Sequence, residues 1–161
     1  MKAHEVGNAA QARKLVEERD LSHVKVGVFD VDGVLRGKYM SRGKFLSALE
    51  SGFGFCDVVL GWDVNDACYD NVRFTGWHTG YPDAPVRVLP ASCRELPYED
   101  GGLLFLGEFE GEAEALCPRG TLRRVVDYAE KLGFQVLAGL EYEFFVWIWI
   151  QCKKKVAMKK S

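Results

Sequence analysis

Ala9, Ala12, Leu15 and Val16 recur at helical spacing, and Asn8 just ahead is a residue type that caps helices, so the pattern predicts a helix from Asn8 to Glu18. Val24, Val26 and Val28 then alternate as in a strand, Asp32-Gly33 follows, and Val34 to Met40 reads as a second strand. An Asp-Gly pair between two such runs signals a hairpin. Ser41 to Glu50 reads as a helix with Phe45, Leu46 and Leu49 on one side and Gly52 near its end. Asp57 to Trp62 reads as a short apolar strand. Residues 63–100 are rich in Gly, Pro, Asp and Asn and predict long loops with a brief strand at Val86 to Leu89. Leu103 to Phe109 is a further strand. Pro118 opens a helix whose stripe of Leu122, Val125, Val126, Ala129 and Leu132 is expected to be buried, with Gly133 ending it. Phe134 to Ala138 reads as a strand, and Glu141 to Ile150 as another or its continuation.

This order predicts an α+β fold: a small mixed sheet packed on a helix, with the helix and strand after residue 117 opening a second unit. The 161 residues, 48% of them hydrophobic, suit one ordinary domain or a small one plus a fragment. Charge is uneven. Residues 148–161 hold five lysines and no acid, so residues 1–147 carry −7 against a net −2. An acidic body offers no basic surface for nucleic acid. The longest apolar run, Phe144 to Ile150, is far short of the roughly 20 residues a membrane span needs. The five cysteines are scattered without a CxxC pair, which fits a reduced, cytoplasmic compartment.

Three segments carry candidate chemistry. In Phe29-Asp30-Val31-Asp32-Gly33-Val34-Leu35, a strand ends in D-x-D-G-V, which resembles the first motif of the haloacid-dehalogenase phosphatases. That resemblance makes Asp30 a nucleophile toward phosphorus, Asp32 a general acid and Mg²⁺ the bridging ion. The competing reading makes Asp32-Gly33 a hairpin turn and Asp30 a polar flank. In Gly139-Leu140-Glu141-Tyr142-Glu143-Phe144-Phe145, a strand would set Glu141 and Glu143 about 7 Å apart on one face. Paired carboxylates among aromatics favour a hard cation, Mg²⁺ or Mn²⁺, although an edge strand with its glutamates in water fits the spacing equally well. In Gly61-Trp62-Asp63-Val64-Asn65-Asp66-Ala67-Cys68-Tyr69-Asp70, acids and aromatics could line a pocket for a cation or amine, or simply form a solvated loop, with His78 nearby in Gly76-Trp77-His78-Thr79-Gly80.

Taken together, the segments resemble the glutamine synthetase superfamily. Cys117-Pro118-Arg119-Gly120-Thr121-Leu122-Arg123-Arg124, then Ala129-Glu130-Lys131-Leu132-Gly133-Phe134, then Gly139 to Phe145 with its E-x-E-F-F signature are similar to that family's helix and first catalytic strand. Gly80-Tyr81-Pro82-Asp83 and Arg94-Glu95-Leu96-Pro97-Tyr98 resemble its "ypD … R-x-L-P-W" region, and Asp30 to Tyr39 its "D-x-x-G-x-x-R-G-K" hairpin. The match runs from about Lys25 to Trp147. It implies an N-terminal helix (1–20), a β-grasp-like N-terminal domain (21–112), the first helix and strand of a glutamine-synthetase catalytic domain (113–147) and a basic tail outside the family pattern (148–161).

The resemblance also implies a reaction. ATP phosphorylates the γ-carboxylate of glutamate, and ammonia or an amine displaces the phosphate with two Mg²⁺ or Mn²⁺ ions gathering the charge. Carried over, Glu141 is a ligand of the metal near the nucleotide phosphates and Glu143 of the metal near glutamate. Asp63, with Asp66 as its rival, faces the incoming ammonium or amine, and the loop reaches a neighbouring subunit within a ring-shaped homo-oligomer. Leu140 stands where many members have proline. The loop around Trp62 lacks the "DGSS" of ammonia-using bacterial enzymes and looks more like the branch acting on polyamines or other amines. The family pattern stops after Trp147, which suggests a truncated or frameshifted ligase, inactive alone, or a non-catalytic module that assembles with a full-length relative. Phe144 to Ile150 would then be a bare apolar edge, prone to association.

Overall fold

The computed structural model describes residues 1–145. The tail at 148–161 lies outside the described residues, as do the last five residues of the strand expected over Glu141 to Ile150 and of the apolar edge expected there.

The hairpin forms where the alternation places it. Strand β1 (His23–Phe29) pairs antiparallel with β2 (Leu35–Ser41), in register from His23 opposite Ser41 to Phe29 opposite Leu35. The turn is closed by Asp30 N–H donating to Val34 O at 3.0 Å and Gly33 N–H donating to Asp30 O at 3.1 Å. Gly33 has φ +81°, a conformation that favours glycine. Ser41 ends β2 and caps helix α2 (Arg42–Ser51), its hydroxyl accepting from Lys44 N–H. At Gly52, with φ +70°, a Cβ would lie 2.6 Å from Val86 O, so both the turn and the close approach need glycine.

Strands β3 (Phe53–Cys56), β4 (Asp83–Glu95) and β5 (Leu103–Phe109) complete a five-stranded sheet in the order β2-β1-β5-β4-β3. The β1–β5 pair is parallel and the others antiparallel. A hairpin, a crossing helix and a last strand returning parallel to the first make a β-grasp arrangement. Helix α1 (Ala9–Glu18), capped by Asn8 Oδ1 accepting from Gln11 N–H at 2.9 Å, joins α2 on one face of the sheet. There Ala12, Leu15, Val16, Phe45, Met40 and Phe105 form the main core, with the Phe45 and Phe105 rings 4.7 Å apart. Burying each large side chain contributes about 1.5–3 kcal/mol. A second cluster gathers Val28, Val59, Leu60, Val86 and Phe109 near the β3 end.

Four expected elements differ. Asp57–Leu60 is a 3-10 turn, and the strand precedes it at Phe53–Cys56. The Asp57 carboxylate is buried and accepts from Thr75 Oγ1 at 2.5 Å, and this holds the chain out of the ladder. The brief strand at Val86 to Leu89 is 13 residues long. Its prolines disguise it, but Pro85 sits near its start, and Pro90 falls in a register shift between Leu89 and Arg94 where no ladder hydrogen bond is needed.

Helix α3 (Pro118–Lys131) forms and closes as a Schellman motif, with Phe134 N–H on Ala129 O, Gly133 N–H on Glu130 O and Gly133 at φ +84°. Its expected buried stripe is not buried. Leu122 is 63% and Leu132 56% exposed, Val125 is exposed too, and Val126 and Ala129 are half-buried. Helical period shows which residues share a face, not whether anything covers it. The strand expected at Phe134 to Ala138 is also absent, and residues 141–145 are in no strand, because no ladder partner meets them among the described residues.

Candidate functional site

The hairpin turn and the loop after β3 make one acidic, aromatic construction. Asp30 is fully buried at the end of β1. Its Oδ1 accepts from Asp32 N–H at 3.0 Å and Val34 N–H at 2.8 Å, and its Oδ2 accepts from Arg36 Nε at 2.7 Å. Both oxygens are committed to shaping the turn, so Asp30 is a buried anchor of the hairpin rather than the polar flank of the competing reading, and it is poorly placed as a nucleophile. Asp32 is engaged as well: its Oδ2 accepts from Val64 N–H at 2.8 Å and ties the turn to the loop.

Arg36, opposite Val28 in the hairpin, is the hub. Beyond Asp30 it reaches Asp66 Oδ1 at 2.6 Å and Asp63 O at 3.3 Å, and its guanidinium lies 4.9 Å from the centre of the Trp62 ring. The Asp30 hydrogen bond raises its pKa further above the ordinary arginine value. The loop folds back on itself through Asp63 N–H to Ala67 O, Tyr69 N–H to Gly61 O and a bridge between Trp62 and Cys68. Asp66 has φ +64° at its tip. Asp63 Oδ1 accepts from Asn65 N–H at 2.8 Å and Ala67 N–H at 3.0 Å. The Ala67 and Asn65 amides hold its carboxyl below the usual carboxylate range. Asp63 is half-buried and stays ionised in a turn with an exposed acid, Asp66, beside it. The Trp62 indole Nε1 is buried with no hydrogen-bond partner among the described residues. Behind the loop, Cys68 beside Tyr81 pushes that phenol up to about 12.

The structure therefore brings Asp30, Asp32, Asp63 and Asp66 together around Arg36. The sequence offered Arg36 only as one letter of a hairpin motif, and its role depends on loop contacts that no local pattern shows. His78 lies apart, exposed, its Nε2 3.1 Å from Arg73 O. Glu141 and Glu143 are exposed and not on a strand, so the shared face expected of them is not formed. Among the described residues no three His, Cys, Asp or Glu side chains are grouped to hold a metal ion. The two glutamates have donor atoms suited to Mg²⁺ or Mn²⁺, but they do not by themselves fit a metal centre. No helix among the described residues is long and apolar enough to cross a membrane.

No family model matches the chain. Similar proteins are nonetheless clear. The Type-1 glutamine synthetase 2 of Dictyostelium discoideum is 44% identical over 125 residues, 76% of this chain and 24% of that protein. A glutamate–isopropylamine ligase of Pseudomonas sp is 32% identical over 140 residues, 84% of this chain and 30% of the ligase. In fold, the cryo-EM structure of Plasmodium falciparum glutamine synthetase superposes with a TM-score of 0.58 at 18% identity, over 83% of this chain and 24% of that one. The chain thus spans about a quarter of the length of the curated relatives it matches. With a mixed five-stranded sheet of the same fold and relatives of this kind along most of its length, the chain belongs to the glutamine synthetase superfamily.

Proposed function

We propose that residues 21–112 supply the amine-facing loop of an ATP-dependent γ-glutamyl ligase, and that the rest of the active site comes from elsewhere in the working assembly. The observation that carries this reading is the loop 61–69. It is ordered by its own hydrogen bonds, pinned to the hairpin through Arg36 and Asp32, and keeps the Asp63 carboxylate ionised. A fixed anion beside aromatic rings suits a protonated amine. One relative's name, glutamate–isopropylamine ligase, is that of a protein acting on such an amine. Asp63 is the acceptor for the incoming ammonium or amine. Asp66 is the weaker candidate because Arg36 already pairs with it. Glu141 and Glu143, in the unit beginning near residue 113, are two of the ligands for hard divalent ions and need further donors from outside residues 1–145. In a ring-shaped oligomer, as the family resemblance implies, the loop faces a neighbouring subunit. The co-substrates are glutamate and ATP.

The test is a chimera in which residues 21–145 replace the matching quarter of the Dictyostelium relative. Asp63→Asn in that chimera should raise the amine KM by about tenfold or more, the loss of one charged hydrogen bond, with the glutamate KM little changed. An unchanged amine KM, with Asp66→Asn raising it instead, would move the role to Asp66. No effect from either substitution would end the proposal.

A further inference from the structure

Far from the loop, the outer face of the sheet meets α3 in a cluster of arginines. Glu108 on β5 is 4% exposed and sits opposite Arg87 of β4 in register. Its carboxylate takes Arg87 Nη2 at 2.5 Å, Arg119 Nε at 3.5 Å and Arg123 Nε at 3.6 Å. Three guanidiniums surround this one buried carboxylate. Glu110 and Glu114 balance the other two arginines from more exposed positions, at 3.9 Å from Arg87 and 3.2 Å from Arg123, and Arg94 adds one positive charge that no acid pairs with among the described residues. Two donors make no hydrogen bond among the described residues: the buried Nε atoms of Arg87 and Arg119 stop 3.9 Å from Glu110 and 3.5 Å from Glu108. Buried donors of this kind are costly to leave unmade. Arg87, Glu108, Arg119 and Arg123 line a cavity of about 490 Å³, which Arg94, Leu89 and Leu106 also border. Arg94 donates to the carbonyls of Cys93 and Ala91 rather than to an acid.

We propose that this cavity is a binding site for a phosphate group, free or carried on a small organic body. Guanidinium forks match the oxygens of phosphate, and such an anion answers the extra charge of Arg94 and the two unmade hydrogen bonds. The volume lies within the range of small-molecule sites, and Leu89 and Leu106 give it an apolar wall. The site is separate from the amine-facing loop and does not rest on that assignment.

The experiment is titration calorimetry of the full chain with inorganic phosphate and with glycerol phosphate, each against chloride at equal ionic strength. Saturable heat with either phosphate is expected. Tighter binding of the ester would assign the apolar wall to an organic body, and equal binding would confine recognition to the phosphate. Arg123→Gln should weaken binding by about tenfold, the loss of one charge-assisted contact. Because that change also loosens α3, Arg94→Gln provides the second variant, since it leaves every contact to Glu108 in place. It should weaken binding severalfold. Heats no larger than those with chloride, or unaltered affinity in Arg94→Gln, would overturn the proposal.

Discussion

The two faces of the sheet are held by different physics. On the inner face, α1 and α2 bury Leu15, Val16, Phe45 and Phe105 in a continuous apolar core. On the outer face, α3 buries only Gly120 of its own residues and is tethered through Glu108, Glu114 and their arginines, while its apolar stripe faces outward. Both helices α2 and α3 carry a hydrophobic side. Only one of them finds an apolar partner among the described residues. Area removed from water stabilises strongly and without direction, whereas half-exposed ion pairs contribute little and mainly set orientation.

The sharpest way to break the comparison is to truncate one side chain on each face. Phe105→Ala should cost about 3–5 kcal/mol in urea unfolding, as for a buried aromatic, whereas Leu122→Ala should stay within about 0.5 kcal/mol. Similar losses would mean that α3 is covered in solution. Next in size is Asp30→Ala, which removes the acceptor for two turn amides and for Arg36. A loss of about 2–3 kcal/mol is expected, with faster hydrogen exchange at Asp32 and Val34. Glu108→Gln should cost about 1–2 kcal/mol, because its arginines are about 40% exposed and can rehydrate. Hydrogen exchange should then rise along α3 and hold steady in β1. Uniform acceleration would show that the two faces unfold together. The smallest effect concerns pH. A carboxyl whose folded pKa is lowered contributes stability above its unfolded value of about 3.9 and loses it as pH falls through the folded value. Asp63 should therefore titrate below about 3.9 by NMR, with the Asn65 and Ala67 amide signals moving at the same midpoint.

What could be read from the sequence followed the range of the interactions involved. The hairpin, α1, α2 and β5 rest on local alternation, helical spacing and caps such as Asn8 and Ser41, all written within a few residues. Strand β4 was mostly hidden because its prolines look like loop signals until β3 and β5 flank them. The exposure of Leu122 and Leu132 was illegible for the opposite reason: a periodic stripe says nothing about a partner layer. In the site, Asp63 could be picked out as an acid in a suggestive loop, but Arg36 could not be seen as its anchor, since that depends on hairpin register and loop closure at once. The spacing of Glu141 and Glu143 was legible, while the shared face it implied depends on a ladder that the described residues do not form.

The register shift in β4 constrains how this chain can vary. Between Leu89 and Arg94, β4 advances five positions while β5 retreats two, from Leu106 to Leu104. The excess of three residues is odd, so inward positions change parity across it: Ala84, Val86 and Val88 face the core before it, and Cys93 after it. The Ser92 hydroxyl, accepting from Leu106 N–H at 2.7 Å, stitches the gap. A single deletion among residues 90–92 would, with the bulge kept at its present length, slip the end of β4 by one residue and turn Arg94 inward and Cys93 out, whereas losing or gaining two residues would keep the facing whether the bulge or the pairing is kept. Length changes in this stretch should be tolerated across descendants of this sequence in steps of two, a counting rule imposed by the pleat.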